Sequence, residues 1–184
     1  DIIANNNWER PIYFTGGAFG DEDYLWMKDF LQLDGMCYKL VPIKTPIDQS
    51  NPSEMGMIDS EKMTSIVNKW NWGIDSEIDI YLDVESRKNS ITYRSNLSRL
   101  VDQLIIENNF IDAERILDNC MQKLPIDKFG YYTLLEPFIS SYYRLNKGEK
   151  ARKIFDEIAA KYQENLFYYS TFSNSAKNRY AEEI

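Results

Sequence analysis

The sequence contains no histidine and only two cysteines among its 184 residues. Without histidine, Ser-His-Asp and Cys-His catalysis, imidazole metal sites and a histidine pH switch are all excluded. Cys37 and Cys120 lie far apart and form no CxxC motif. We interpret them as two buried thiols, because free cysteine is among the most buried residue types. The alternative is one disulfide, which requires an oxidising compartment.

Long hydrophobic runs and basic clusters are also missing. No apolar run approaches the ~20 residues that span a bilayer, and no signal-peptide pattern is visible. The net charge is −8, which repels phosphate backbones, so we expect no nucleic-acid partner. Because no apolar run is long enough, we expect that this segment does not itself insert into a membrane. The chain starts at Asp1 without a methionine, so we also expect that it is a segment of a longer protein.

The chain contains a normal fraction of hydrophobic residues and many aromatic side chains. Hydrophobic residues make up 43% and aromatic residues 14% of the sequence, which argues for a folded core rather than disorder. We interpret the four tryptophans, with Tyr13, Tyr24 and Tyr38, as core residues, and an aromatic-lined groove is the alternative.

Residues 97–158 predict two helical hairpins with the same hydrophobic pattern. The first carries Leu97, Leu100, Val101, Leu104 and Ile105, then Ala113, Ile116, Leu117 and Cys120; the second carries Leu135, Phe138, Ile139 and Tyr142, then Ala151, Ile154, Phe155 and Ile158. The two sets are offset by 38 residues, and the spacing within each helix follows one helical stripe. The pattern of Ala113, Leu117 and Pro125 is similar to that of tetratricopeptide repeats, in a divergent form.

The turns of these hairpins have their own signals. Asn108 and Asn109 predict the first turn, and Pro125 ends the partner helix. Pro137 places the start of the next helix near Glu136. Gly148 predicts a φ > 0 cap at the second turn. We expect residues 166–184 to add one or two helices that cover the last hairpin.

The N-terminal half predicts a small α/β part over residues 1–88, followed by a helical part over residues 89–184. Residues 12–15 and 38–43 read as strands, and the stretch between them reads as a helix that Gly35 ends. Such a strand–helix–strand unit predicts parallel strands. Residues 44–58 predict a loop, Asp59 or Ser60 a capped helix, and residues 78–83 a third strand or an extended strap. The fold class is therefore α+β and mostly α.

No residue set predicts a reaction. The glycine-rich stretch 16–20 lacks both phosphate-loop motifs, so we interpret it as a turn. The acidic clusters 21–23 and 75–79 do not match the EF-hand spacing, so we interpret them as helix-capping and solvated residues. We therefore expect no catalytic residue, no cofactor and no metal site in this segment.

A binding surface is a better prediction, because helical-hairpin arrays bind extended peptides on their concave face. Four tyrosines are predicted to be exposed there, and three polar residues of the first helix could hydrogen-bond a peptide backbone. The candidate peptide- or glycan-binding residues are Tyr131, Tyr132, Tyr142, Tyr143, Asn96, Arg99 and Gln103.

The chain also carries blocks that resemble a known family. These are NNWERPIYF at 6–14, YL at 24–25, LQLDG at 31–35, YKLVPI at 38–43, WG at 72–73, YLD at 81–83 and NLSRL at 96–100. They look like the C-terminal region of a bacterial family of polytopic membrane proteins, a domain of unknown function related to protein O-mannosyltransferase-type (GT-C) glycosyltransferases. The resemblance implies a location on the periplasmic face of the inner membrane, within a larger integral membrane protein.

Three functional hypotheses follow. The first is a non-catalytic domain that binds a protein or glycan acceptor, or the protein's own membrane domain. The second is a carbohydrate-active domain that uses a pair of carboxylates in the region 16–23. The third is a structural tail that only stabilises the membrane domain.

Overall fold

The structure is a computed structural model that describes residues 2–15, 26–45, 55–72 and 80–173. The described part is α+β and mostly helical, as predicted, with a small sheet near the N-terminus followed by helices. Some predictions lie outside the described residues: the glycine-rich stretch 16–20, the acidic clusters 21–23 and 75–79, Tyr24, and residues 174–184.

The secondary structure consists of three short strands and seven helices within the described ranges. In chain order they are α1 (Ile2–Asn5), β1 (Tyr13–Thr15), β2 (Leu31–Asp34), β3 (Cys37–Leu40), α2 (Ser60–Val67), α3 (Val84–Ile106), α4 (Phe110–Lys123), α5 (Ile126–Phe129), α6 (Glu136–Arg144) and α7 (Gly148–Ser170). Short 3₁₀ turns cover Lys28–Phe30 and Tyr132–Leu135.

The sheet has the order β1-β3-β2, and both strand pairs are antiparallel. The predicted parallel strand–helix–strand unit is therefore wrong. The sequence predicts the residues of β2 within the helix, but they pair with β3, and Asp34 lies opposite Cys37 across a two-residue turn. Gly35 occupies the first turn position with φ +67°, and a Cβ there would lie 3.1 Å from Cγ2 of Ile66. A tight turn of this kind joins antiparallel strands, whereas a parallel pair needs a long crossover.

Helix α2 begins where the sequence predicts. The Asp59 carboxylate accepts a hydrogen bond from the backbone N–H of Lys62 at 3.1 Å, so Asp59 is the N-cap. Met63 and Val67 are buried on one side of this helix.

Residues 80–82 form no strand, and Asp83 caps α3 by accepting a hydrogen bond from the backbone N–H of Ser86 at 2.7 Å. The boundary expected at 88/89 thus falls within the first turns of α3.

Helices α3–α4 and α6–α7 form the two predicted hairpins. The start of α6 at Glu136, after a 3₁₀ turn, is confirmed, with Pro137 in its first turn. Gly148 does not supply the left-handed cap, which is a correction: it is the first residue of α7, and Asn146 has φ +59° instead. The turn therefore uses asparagine, which tolerates this conformation better than other residues with side chains.

One hydrophobic cluster extends from the N-terminal part into both hairpins. It includes Leu33 of β2 and Met63 and Val67 of α2, together with the inward residues of α3, α4, α6 and α7. A second, smaller cluster contains Met27, Leu31 and Leu40. The sheet, α2 and the hairpins thus share a core.

Residues 166–170 continue α7, and Leu166 and Phe167 are exposed. Contrary to the prediction, these residues therefore do not cover the last hairpin.

Cys120 is fully buried, Cys37 is half-buried, and no disulfide joins them. Burial raises the pKa of the Cys120 thiol to about 12, which makes it an inert core residue.

Candidate interaction site

The three polar candidate residues on α3 form hydrogen bonds within the chain. Asn96 is buried, and its Nδ2 donates to the carbonyl oxygen of Gly35 at 2.9 Å. The guanidinium of Arg99 donates to the carbonyl oxygen of Gly56 at 2.7 Å. Gln103 donates to the carboxylate of Glu107 at 2.6 Å. Asn96 and Arg99 therefore bond the backbone of the N-terminal part of the same chain.

The four candidate tyrosines differ in how far their side chains are exposed. Tyr143 is 50% exposed, whereas Tyr142 is 2% exposed and its hydroxyl donates to Asp118 at 2.8 Å. Tyr131 and Tyr132 are half-buried, and the ring of Tyr132 meets that of Tyr162 edge-on at 5.8 Å. The predicted exposure of Tyr142 is therefore wrong. Its position is equivalent, at the 38-residue offset, to the core residue Leu104, and that relation is the sequence signal for its burial.

A cavity of about 670 Å³ lies between α4 and α7, and Tyr142 is part of its lining. Salt bridges beside it join the two hairpins: Lys150 contacts Asp118 at 2.7 Å and Glu114 at 2.8 Å, and Lys147 contacts Glu114 at 2.8 Å. Hydrogen bonds from Lys147 and Lys150 hold the pKa of Glu114 below its ordinary value. Burial and the bond to Asp118 raise the pKa of Tyr142, so its hydroxyl stays protonated. The network ties helices together and presents no activated nucleophile.

A second polar cluster lies on the sheet. The buried carboxylate of Asp34 accepts from Nε2 of Gln32 at 2.7 Å and contacts Nζ of Lys62 at 2.8 Å. Burial lowers the pKa of Lys62, but the hydrogen bond and charge of Asp34 outweigh it and raise that pKa overall. This cluster contains one carboxylate among the described residues, and a glycosidase-type site needs two. Within the same ranges, no group of three His, Cys, Asp or Glu side chains could hold a metal ion.

An apolar groove of about 290 Å³ lies beside the smaller hydrophobic cluster. We call it the tryptophan groove; it is lined by Ile3, Trp8, Trp26, Met27, Phe30, Leu40, Val41 and Pro42. Trp8 is 50% and Trp26 is 73% exposed, so these two rings are not core residues. Trp70 and Trp72 do pack against the main cluster, with ring centroids 5.4 Å apart. The core interpretation of the tryptophans is correct for the second pair, and the groove alternative applies to the first.

A third surface is an apolar stripe along α7. Phe155, Tyr162 and Leu166 are 57%, 40% and 56% exposed, respectively, and their spacing places them on one side of the helix. The sequence pattern assigned Phe155 to the hairpin core, as the equivalent of Leu117, and the structure places it at the surface. No local signal distinguishes the two positions, because exposure depends on what packs against each hairpin.

Comparisons with known proteins bear on the N-terminal part. Residues 1–62 match the family model described as TMEM260-associated domain 2. That description links the matched region to a membrane protein. The match covers about a third of the chain and contains the whole tryptophan groove. No curated protein and no solved structure matches the chain. None of the helices in the described ranges is long and apolar enough to cross a membrane.

Proposed function

We propose that this chain is a non-catalytic interaction domain of a larger, membrane-anchored and glycosyltransferase-like protein, held at the periplasmic face of a bacterial inner membrane. The observation that carries the proposal is the location of the tryptophan groove inside the matched residues 1–62. Trp8 and Trp26 leave large ring surfaces in water. Tryptophan is enriched among the residues that dominate binding energy, because burying its ring removes much apolar surface from water.

The partner that we propose for this groove is the membrane part of the same protein. The family description links the matched domain to a membrane protein, and this link supports the choice of partner. Among the described residues, the groove is lined by apolar and aromatic side chains. A glycan needs groups that hydrogen-bond its hydroxyls in addition to stacking surfaces, and the described lining side chains offer only the two indole N–H groups. Apolar side chains of a loop or helix end fit the groove better.

The helical half acts in this proposal as the scaffold that holds the groove. Asn96 and Arg99 fasten the N-terminal part to α3 through the carbonyl groups of Gly35 and Gly56. We propose that the two hairpins are divergent tetratricopeptide-like repeats, on the basis of the pattern around Ala113 and its repetition 38 residues later.

Photocrosslinking in the full-length gene product tests the proposal. A benzophenone amino acid replaces Trp26, and the matched control replaces Ile111, which is 83% exposed and lies outside the matched region. We expect Trp26→benzophenone-alanine to crosslink to a membrane-part peptide, identified by mass spectrometry, and the Ile111 variant not to do so. Crosslinks from position 26 only to a separate acceptor protein would contradict the proposed partner. A full-length product without membrane helices would contradict the proposal as a whole.

A further inference from the structure

A cavity of about 380 Å³ lies where the start of α3 meets α5. We call it the cationic cavity; its described lining consists of Ile80, Tyr81, Leu82, Arg87 and Lys128. Arg87 and Lys128 are both half-buried, and this lining contains no carboxylate that would balance them. The whole chain carries a net charge of −8. The cavity is therefore a local exception to the acidic character of the chain, and its charge favours an anion.

The guanidinium of Arg87 has no partner in the described part of the chain. Its Nε is buried without a hydrogen-bond partner, and the group forms no ion pair with a described residue. Hydrogen bonds from Ser86 lower the pKa of Asp83, and the charge of Arg87 adds least to this shift, because the Asp83 carboxylate serves as the N-cap of α3. A half-buried guanidinium without an acceptor costs free energy of desolvation, which a bound anion recovers.

A second arginine on the same side of α3 shows how the cavity is held together. Arg94 lies seven residues after Arg87, which is about two helical turns. Its guanidinium donates to the carbonyl oxygens of Leu124 and Gly130, which flank α5. Arg94 thereby fastens α5 to α3, and Lys128 of α5 lines the same cavity as Arg87. One arginine of α3 is thus used for structure, and the other is available for a ligand.

We propose that the cationic cavity binds the phosphate group of a small phosphorylated ligand. A phosphate monoester carries a charge of about −1.5 to −2 at pH 7, which matches two cations better than the single charge of a carboxylate does. The planar guanidinium of Arg87 can bind two phosphate oxygens, and Lys128 adds a point charge. Tyr81 is 85% exposed, so its ring is available to stack on the rest of the ligand.

A soluble ligand fits these observations better than a membrane lipid does. Recognition of anionic lipids by charge uses clusters of about four to eight basic residues, whereas the described lining has only Arg87 and Lys128. The net charge of −8 also repels an anionic membrane surface. The inference is independent of the tryptophan groove, and it adds a small-molecule site to the proposed interaction domain.

Titration of the 184-residue chain with phenyl phosphate tests the proposal. Binding is followed by NMR at neutral pH, and sodium chloride at the same ionic strength is the reference. We expect saturable shifts at the amides of Tyr81, Arg87 and Lys128, with a Kd of about 1 mM. Benzoate has the same ring and a single charge, so it should bind at least about threefold more weakly. Equal affinity for benzoate, or equal shifts with sodium chloride, would overturn the proposal.

Variants of the chain locate the site. Arg87→Met should weaken the binding of phenyl phosphate by about tenfold or more. Arg152→Met is the matched control, because Arg152 is exposed on α7 and is not part of the cavity lining, and it should leave the affinity unchanged. An unchanged affinity in the Arg87 variant would overturn the proposal.

Thermal unfolding separates a binding role of Arg87 from a structural one. Because its guanidinium has no described partner, Arg87→Met should not lower the unfolding temperature of the chain without ligand. Phenyl phosphate should raise that temperature for the natural chain and not for the variant. A large loss of stability in the variant without ligand would show that Arg87 is structural and would contradict the proposal.

Two further outcomes would assign the cavity to another anion and overturn the proposal as well. The chain could float with vesicles of phosphatidylcholine and phosphatidic acid without binding phenyl phosphate, which would assign the cavity to a lipid. Binding that appears only with Asp75→Asn, Glu77→Gln and Asp79→Asn would assign it to the chain's own carboxylates, which precede the cavity residues in the sequence. Neither result would affect the crosslinking test at Trp26, so the two proposals can fail separately.

Discussion

Asn108 and Asn146 lie 38 residues apart and adopt the same left-handed backbone conformation, with φ of 62° and 59°. Each follows the end of the first helix of a hairpin. The next N–H along the chain then bonds back into the helix, from Asn109 to Leu104 and from Lys147 to Tyr142, both at 2.8 Å. This is the Schellman arrangement, which satisfies carbonyl groups at a helix end. The repeat seen in the side-chain pattern is therefore also a repeat of backbone geometry.

The left-handed conformation predicts the effect of substituting Asn146. We expect Asn146→Ala to lower the free energy of unfolding by about 1 kcal/mol, because a Cβ is disfavoured there and asparagine tolerates the strain better than alanine does. We expect Asn146→Gly to cause no loss, since glycine has no Cβ. Urea denaturation followed by circular dichroism measures both values. Equal losses for alanine and glycine would show that the backbone conformation is not the cause.

A buried arginine predicts a larger effect. Arg94 is 0% exposed, and its guanidinium donates to the carbonyl oxygens of Leu124, Gly130 and Tyr131. These carbonyls belong to the connection between the two hairpins. We expect Arg94→Met to lower the free energy of unfolding by about 2–4 kcal/mol, because it leaves buried carbonyl groups without donors.

An exposed arginine provides the control for this prediction. Arg115 is exposed and forms a salt bridge with Asp112 at 2.6 Å. We expect Arg115→Met to cost less than about 1 kcal/mol, since surface ion pairs contribute little. The same urea denaturation measures both variants. Similar losses for the two arginines would mean that Arg94 does not fasten the connection.

The salt bridges between the hairpins predict a pH dependence. Hydrogen bonds from Lys147 and Lys150 hold the pKa of Glu114 below its ordinary value of 4.5 in the folded chain. Its ionised form is therefore favoured by folding, so its contribution to stability is present above the unfolded pKa and is lost as the pH falls through the lower folded pKa. We expect the stability difference between the protein and Glu114→Gln to be largest near neutral pH and to shrink below about pH 4.5.

Denaturation of both proteins in urea at several pH values measures this difference. Addition of about 1 M salt at neutral pH should also reduce it, because exposed ion pairs are screened. A difference that stays constant from neutral to acid pH would show that the charge of Glu114 does not act through the two lysines.

Features encoded by neighbouring residues could be predicted from the sequence. The capping of α2 by Asp59 and the start of α6 at Glu136, next to Pro137, depend on residues within one or two turns. The hairpin stripes follow helical periodicity. The prediction for the sheet is wrong although a local signal exists: Gly35 is the first residue of the two-residue loop Gly35-Met36, and glycine is favoured at that position in β-hairpins. The sequence analysis assigns Gly35 to the end of a helix instead.

The candidate site depends on contacts that no local pattern shows. Asn96 bonds Gly35, 61 residues earlier, and Arg99 bonds Gly56, 43 residues earlier. Periodicity placed both on a helix but could not show that a neighbouring part of the chain would use them. The exposure of Trp8 and Trp26 could not be predicted either, because tryptophans in cores and in grooves have similar neighbours in the sequence.

Hydrogen–deuterium exchange tests the proposed interaction domain most directly. The full-length product in detergent is compared with the isolated 184-residue chain at the groove amides of Phe30 and Val41, which bond Met27 and Phe30 carbonyls. If the tryptophan groove binds the membrane part, these amides exchange more slowly in the full-length product, while those of α4 (Phe110–Lys123) do not change. Equal exchange at the groove in the two samples would contradict the account.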